Sequence, residues 1–147
     1  MAVFIHKFVR SDEDRALHDH PWNFLVIPIW RGYIEHSDRV VICDCEPGST
    51  YCEMCEGDGA YREPVRRRVW PIIGTRYRDA TYRHRVELLE CDYDDDLVTE
   101  SQCPKCQGMC ELPSWSIFVR FTEHRKWGFW PKEGWIAFNK WWQEKCE

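Results

Sequence analysis

An all-β fold is predicted for this chain, and three observations carry the prediction. Short runs rich in β-branched and aromatic residues, separated by turn residues, recur along the whole sequence. Helical spacing of apolar residues occurs only near the C-terminus. The length of 147 residues, 44% hydrophobic and 31% charged, suits one folded domain over 1–147 that buries its own core. Two cysteine-rich segments, at about 43–59 and 91–110, read as insertions between neighbouring strands.

The first strand runs from Met1 to Val9 through Val3, Ile5 and Phe8, and a polar turn follows at Ser11 to Asp14. Asn23 to His36 reads as two strand pieces joined by a bend at Gly32, with Pro28 marking a bulge or an edge position. A further strand begins at Arg39 to Ile42, and Tyr61 to Trp70 alternates through Val65, Arg67 and Val69. Arg83 to Glu90 is a strand, Asp92 to Asp96 an acidic turn, and Ser114 to Thr122 a strand through Trp115, Ile117 and Val119. The helix spans Gly134 to Lys145, with Trp135, Phe138, Trp141 and Trp142 on one face, and is expected to pack on the outside of the β structure.

Composition narrows the function. A net charge of −5 provides no basic field for nucleic acid or an anionic membrane surface. Met1 to Arg10 carries no apolar stretch with a cleavage site, and no window approaches a membrane span, so a cytoplasmic protein is expected. In that reducing setting the nine cysteines read as metal-bound thiolates rather than disulfides, with Cys146 left over. Nine tryptophans exceed what a core of this size needs, which points to a pocket or an interface lined by aromatic rings.

His18-Asp19-His20 places two imidazoles on one side of an extended segment while Asp19 points away. Neutral imidazole nitrogens bind Zn, Fe, Ni, Cu or Mn, so the pair selects a metal site without naming the ion. His84, in Tyr82-Arg83-His84-Arg85-Val86, is the best third ligand. His6, His36 and His124 lack a partner at ligand spacing and read as surface or hydrogen-bonded residues.

Four segments, His18-Asp19-His20-Pro21-Trp22, Gly32-Tyr33-Ile34-Glu35, His84-Arg85-Val86-Glu87-Leu88 and Trp127-Gly128-Phe129-Trp130, extend over most of the chain outside the cysteine loops. In them the sequence resembles the cupin superfamily, particularly small cupin-like proteins of phages and bacteria. The resemblance implies a double-stranded β-barrel, or jelly roll, and for a phage protein the host cell cytoplasm. It also implies a metal in the barrel mouth on His18, His20 and His84. Cupins usually add a glutamate a few residues after the His-x-His pair, and here that position has no clear counterpart. Asn23 stands close to it, so either the site has three protein ligands with open positions or Glu35 reaches in.

Cys43-Asp44-Cys45 and Cys52-Glu53-Met54-Cys55 form one cysteine cluster; Cys91, Cys103-Pro104-Lys105-Cys106 and Cys110 form the other. A Cys-x-x-Cys turn with a glycine just after it lets two thiolates converge on one ion, which is a strong zinc signal. These pieces look like the knuckles of chaperone zinc modules and zinc ribbons. Two zinc ions with four cysteines each are one arrangement; a single ion shared by Cys52, Cys55, Cys103 and Cys106 is the other. Either acts as a structural clasp.

Arg66, Arg67 and Arg68 alternate on a strand, so Arg67 faces opposite to its neighbours. With Arg76, Arg78, Arg83 and Arg85 they concentrate positive charge near His84, which suits a small anionic ligand, while cross-strand pairing with Glu35, Glu63, Glu87 and Glu90 is the plainer use. These features point to a metal-dependent oxygenase or isomerase acting on a small anionic molecule. Fe, Ni, Mn or Zn would sit at the histidines and structural Zn at the cysteines. Glu35, Tyr33 and Tyr82 are the acid–base candidates, and Asn23, Trp22, Arg76 and Arg78 the substrate contacts. The alternative is a non-catalytic module binding a small ligand or a protein partner. Barrel edges and exposed tryptophans make a homodimer the expected assembly.

Overall fold

A computed structural model describes residues 1–12, 16–45, 52–56, 58–91, 110–132 and 134–145. The acidic turn at Asp92 to Asp96, the Cys103 and Cys106 knuckle and Cys146 lie outside the described residues. The chain is mostly β, in antiparallel sheets.

In order, the strands are β1 (Ala2–Phe8), β2 (Leu17–His18), β3 (Trp22–Trp30), β4 (Tyr33–Ile42), β5 (Ala60–Val69), β6 (Arg76–Arg78), β7 (His84–Glu87), β8 (Leu89–Glu90), β9 (Glu111–Leu112), β10 (Ser114–Glu123), β11 (Gly128–Trp130) and β12 (Ile136–Ala137). The helix α1 (Phe138–Lys145) follows, the one helix among the described residues. One sheet has the order β1-β10-β3-β6, the second β12-β11-β2-β7-β4-β5, and β8 with β9 forms a short hairpin. The chain thus passes back and forth between the two main sheets instead of completing one before starting the other.

The third crossing explains Gly32. Arg31 and Gly32 both take positive φ, 63° and 71°, and a Cβ on Gly32 would lie 2.0 Å from the Val69 carbonyl oxygen. Only glycine fits that turn, which carries the chain from β3 in one sheet to β4 in the other. Pro28 falls at a bulge: Trp115 pairs with Trp30 and Ser116 with Pro28, so Ile29 is skipped.

Two sequence expectations need correction here. Arg39 to Ile42 is no separate strand, because Tyr33–Ile42 runs unbroken against all ten residues of β5, from Tyr33 opposite Val69 to Ile42 opposite Ala60. Arg83 to Glu90 is instead divided, since Leu88 turns inward and β8 leaves to pair with β9.

The facing sides of the sheets supply the core. Phe24, Val26 and Phe118 pack together from the four-stranded sheet, with Trp22 and Tyr82 against them. Tyr33, Val69, Val86 and Leu88 pack together from the six-stranded sheet, and Phe8 of β1 reaches across to them. Each fully buried aliphatic or aromatic side chain contributes about 1.5–3 kcal/mol, so these two clusters are the main apolar term holding the sheets face to face. The outer side of the four-stranded sheet is unusually apolar, with Val3, Ile5, Ile29 and Tyr77 exposed on it. No helix among the described residues is long and apolar enough to cross a membrane.

The helix departs from expectation in its position. Antiparallel register puts Phe129 opposite His18, and His18 opposite His84, so all three share one face of the sheet. Phe138 stacks on Trp127 at 4.2 Å and Trp141 on Phe129 at 4.9 Å. The helix therefore covers the histidine-bearing face and not the outside. Trp135 precedes the helix, and the side chain of Trp142 is outside the described set.

Candidate metal centres

Three elements bring the histidines together. His18 ends β2, His84 begins β7 directly opposite it, and the His20 backbone N–H is held by the Ala80 carbonyl at 3.3 Å. Their ligand nitrogens all lie within 4.8 Å of one another, and the His20 and His84 Nε2 atoms are 2.9 Å apart. Two nitrogens at about 2.05 Å from one ion and at right angles to each other are separated by about 2.9 Å, so this spacing suits neighbouring positions on a metal.

Burial keeps His18 and His20 neutral. His18 is pulled down to about 3, first by burial and then by His84, and His20 is lowered well below its ordinary value for the same reasons. Uncharged imidazole with a free lone pair is the form that binds metal.

The reverse sides of the rings are also organised. Glu35, 2% exposed, places Oε1 3.3 Å from His84 Nδ1, a nitrogen that has no other polar partner. Such an outer carboxylate fixes which nitrogen faces the ion. The Asp12 carboxylate lies 3.9 Å from His18 Nδ1 and accepts the Val86 N–H at 2.6 Å. Glu35 in turn accepts hydrogen bonds from Arg67, from the Tyr82 hydroxyl at 3.0 Å and from Arg78 at 3.4 Å. Burial alone would raise the Glu35 carboxyl, but His84 and Arg67 outweigh it and hold it below its usual range. Glu35 therefore stands behind His84, and the converging set is three histidines without a carboxylate. Of the two ligand arrangements open from sequence, the geometry matches the one with three protein ligands.

The remaining expected site residues divide clearly. Tyr82, 5.5 Å from His84 between ring centres, and Arg78, stacked on Tyr82 at 4.1 Å, belong to the cluster. Trp22 lies near-parallel to His20 at 6.3 Å. Asn23 does not: its Oδ1 accepts the Ala80 N–H at 2.8 Å, fixing the loop that positions His20. Tyr33 is a core residue, its hydroxyl pushed up by burial and then by Glu35. Arg76 is exposed and donates to the carbonyls of Ile73 and Thr75 in its own turn.

Asp19 is the residue whose importance the sequence concealed. It is fully buried, and its carboxylate accepts from Gly128 N at 2.8 Å, Arg125 at 2.9 Å and Trp130 Nε1 at 3.0 Å. The residue between the two ligands thus clamps β11 to the histidine segment. Gly128 also lets β12 pack closely on the other edge of β11, since a Cβ there would sit 2.1 Å from the Ile136 carbonyl oxygen.

The second cluster lies at the far end of β4. Cys43, Cys45, Cys52 and Cys55 converge within 4.8 Å, with Cys43 Sγ 3.2 Å from Cys52 Sγ and Cys45 Sγ 3.4 Å from Cys55 Sγ. Tetrahedral thiolates at about 2.3 Å from zinc stand about 3.8 Å apart, so a small expansion accommodates the ion. The Cys52 carbonyl accepts from Glu56 N at 2.8 Å and the Cys55 carbonyl from Asp58 N at 2.8 Å, forming the tight turn the spacing suggested. The thiols share their protons unevenly: Cys52 is pulled down to about 6, first by its hydrogen bond with Cys43, while Cys45 is pushed up to about 12 by Cys43 and then Cys55. Cys52 and Cys55 thus converge with Cys43 and Cys45, while Cys103 and Cys106, which the other arrangement needs, lie outside the described residues. Cys91 and Cys110 meet at the base of the β8–β9 hairpin, where Cys91 N donates to the Cys110 carbonyl at 2.9 Å.

The arginine run behaves as alternation required. Arg67 points inward to Glu35, while Arg66 pairs with Glu87 at 2.9 Å on the outer face, where His36 also bonds Glu87 at 2.5 Å. Fold and site together define an antiparallel two-sheet protein with a three-histidine group and a four-cysteine group, each able to hold a metal. Comparisons with protein-family models, with curated proteins and with solved structures give no match.

Proposed function

We propose that the chain is a cupin-type metalloenzyme, a double-stranded β-barrel in which His18, His20 and His84 hold a catalytic divalent ion and the cysteine loops hold structural zinc. The observation that carries this reading is the convergence of three imidazoles, His18 and His20 held neutral by burial, with a carboxylate behind His84 and no fourth protein ligand among the described residues. A closed structural site fills its coordination sphere, whereas a three-ligand site leaves positions for substrate. The ion, Fe, Ni, Mn or Zn, supplies either dioxygen activation or polarisation of a carbonyl. The residues supply orientation and charge. Arg67 and Arg78 bring two positive charges against the single charge of Glu35, so the site favours a small anionic substrate. Tyr82, with its hydroxyl raised by burial and then by Glu35, stays protonated and can donate a hydrogen bond to substrate.

A non-catalytic ligand-binding module is the second reading, favoured by the same missing carboxylate ligand. Elemental analysis of the purified protein separates the two. Iron, nickel or manganese near one equivalent beside zinc supports the enzyme; zinc alone, at the stoichiometry of the cysteine clusters, supports the module.

A further inference from the structure

Two buried N–H groups on the inner face of the four-stranded sheet have no hydrogen-bond partner: Trp22 Nε1 and Arg78 Nε. Both atoms can only donate, so whatever completes them is an acceptor. Their surroundings show which kind. In β-register, Phe24 stands between Arg120 on one neighbouring strand and Arg78 on the other, and all three share the face that looks toward the histidines. The Phe24 ring itself lies 4.6 Å from His20 and 5.7 Å from His84.

Arg120 has no carboxylate partner among the described residues. Its guanidinium is held over Trp22 at 4.8 Å and Phe4 at 5.4 Å, ring contacts that fix its plane but leave its donors available. Arg78 is only loosely engaged, its contacts to Glu35 and to the Tyr77 carbonyl both being 3.4 Å. A cavity of about 230 Å³ opens at the rim, with Trp22 and Arg120 in its wall. Pure donors, two guanidinium groups and an indole N–H around one aromatic ring are the chemistry of an oxyanion anchor.

Resting on the metalloenzyme reading above, we propose that Trp22, Arg78 and Arg120 form the anchor for a carboxylate or phosphate group of the substrate, beside the histidine-bound ion. The anchor sets the substrate class: a small molecule with one oxyanion group on the arginines and its reacting end within reach of His20 and His84. Arg120, which sequence spacing did not single out, is the specificity residue, because it forms no ion pair with any carboxylate among the described residues, Glu123 in the same cavity wall included.

The test uses the full chain loaded with zinc and labelled with ¹⁵N, titrated separately with inorganic phosphate and with oxalate. The indole N–H resonance of Trp22, assigned by its absence in Trp22→Phe, shifts saturably with one of the two, and the responding anion identifies the group. Arg120→Gln and Arg78→Gln each raise the apparent Kd at least tenfold with spectral dispersion intact, and Arg120→Lys falls between them and the unaltered protein. A Trp22 resonance that neither anion moves, or one that moves identically in both glutamine variants, overturns the anchor. Zinc content measured against a His84→Ala sample, which retains only the thiolate-bound zinc, reports on the histidines separately: an anion response without histidine-bound metal contradicts the metalloenzyme reading alone, and bound metal without an anion response contradicts the anchor alone.

Discussion

His18, His20 and His84 come from segments far apart in sequence and meet only when β2, β7 and the Ala80 loop are assembled, whereas Cys43, Cys45, Cys52 and Cys55 belong to one hairpin connection. The histidines depend on the fold; the cysteine loop, with structural zinc as proposed, would depend on its metal. Glu35, behind the histidines, and Ile42, next to the cysteines, are seven residues apart on the same strand, about 23 Å at about 3.3 Å per residue. At that separation, with no shared ligand, changes at one centre should leave the other nearly untouched.

The largest effect is therefore expected from the cysteines. Cys55 is 4% exposed, and its replacement by serine removes a thiolate from a site whose metal binding is also loop folding. Cys55→Ser should release zinc and lower the melting temperature by about 10 °C, taking about 3 kcal/mol lost and about 3 °C per kcal/mol for a domain of this size. Calorimetry with a zinc-release assay checks it; a shift within about 2 °C would mean that the cluster carries no structural metal. The prediction extends to Cys106→Ser, the corresponding cysteine of the second loop.

The histidine site should respond in the opposite sense. His84→Ala leaves Glu35 with Arg67, Arg78 and Tyr82, so no charge is stranded and the sheets keep their apolar contacts. Activity and the non-thiolate metal should disappear while the melting temperature of the metal-free protein falls less than in Cys55→Ser. Unfolding as severe as in the cysteine variant would return the histidines to a purely structural role.

Acid sharpens the same contrast. His18, with a folded value of about 3, and His20, also lowered, bind fewer protons when folded than unfolded, where histidine titrates near its ordinary 6.5. The unfolded state thus gains protons first as pH falls, and the metal-free protein should lose stability progressively from about pH 6.5 toward pH 3. Urea unfolding of metal-free protein across that range should show the decline, and His18→Gln should flatten it.

A smaller effect is expected behind the ligands. Glu35→Gln keeps the shape of the side chain but weakens the hold on His84 Nδ1, so affinity for the histidine metal should fall about 10–100-fold, with the cysteine zinc unchanged. Competition with a chelator measures it.

How much of this was legible beforehand follows the range of the interactions. Local patterns carried well: the Gly32 bend, the Pro28 bulge, the Cys-x-x-Cys turn and the alternation of Arg66 and Arg67 each depend on neighbours in sequence. The His-x-His pair with His84 was also legible, because two ligands two residues apart leave a third to be sought in a later strand. Alternation shows only that Asp19 points away from the histidines, since its partners Gly128, Arg125 and Trp130 lie more than a hundred residues downstream. The helix's position is hidden for the same reason: its apolar stripe is visible in sequence, but the register of β11 against β2 that decides what it covers is not. Arg120 carries no sequence signal, because its meaning comes from the lack of an ion pair among the described residues and from cross-strand neighbours, neither of which spacing reveals.

The independence of the two centres is tested most directly by counting metals, element by element, in the unaltered protein, His84→Ala and Cys55→Ser purified in parallel. The account predicts that His84→Ala loses the histidine metal and keeps the cysteine zinc, while Cys55→Ser loses zinc and, in whatever fraction remains folded, keeps the histidine metal. Full metal content in His84→Ala, or loss of both metals together in each variant, would contradict it.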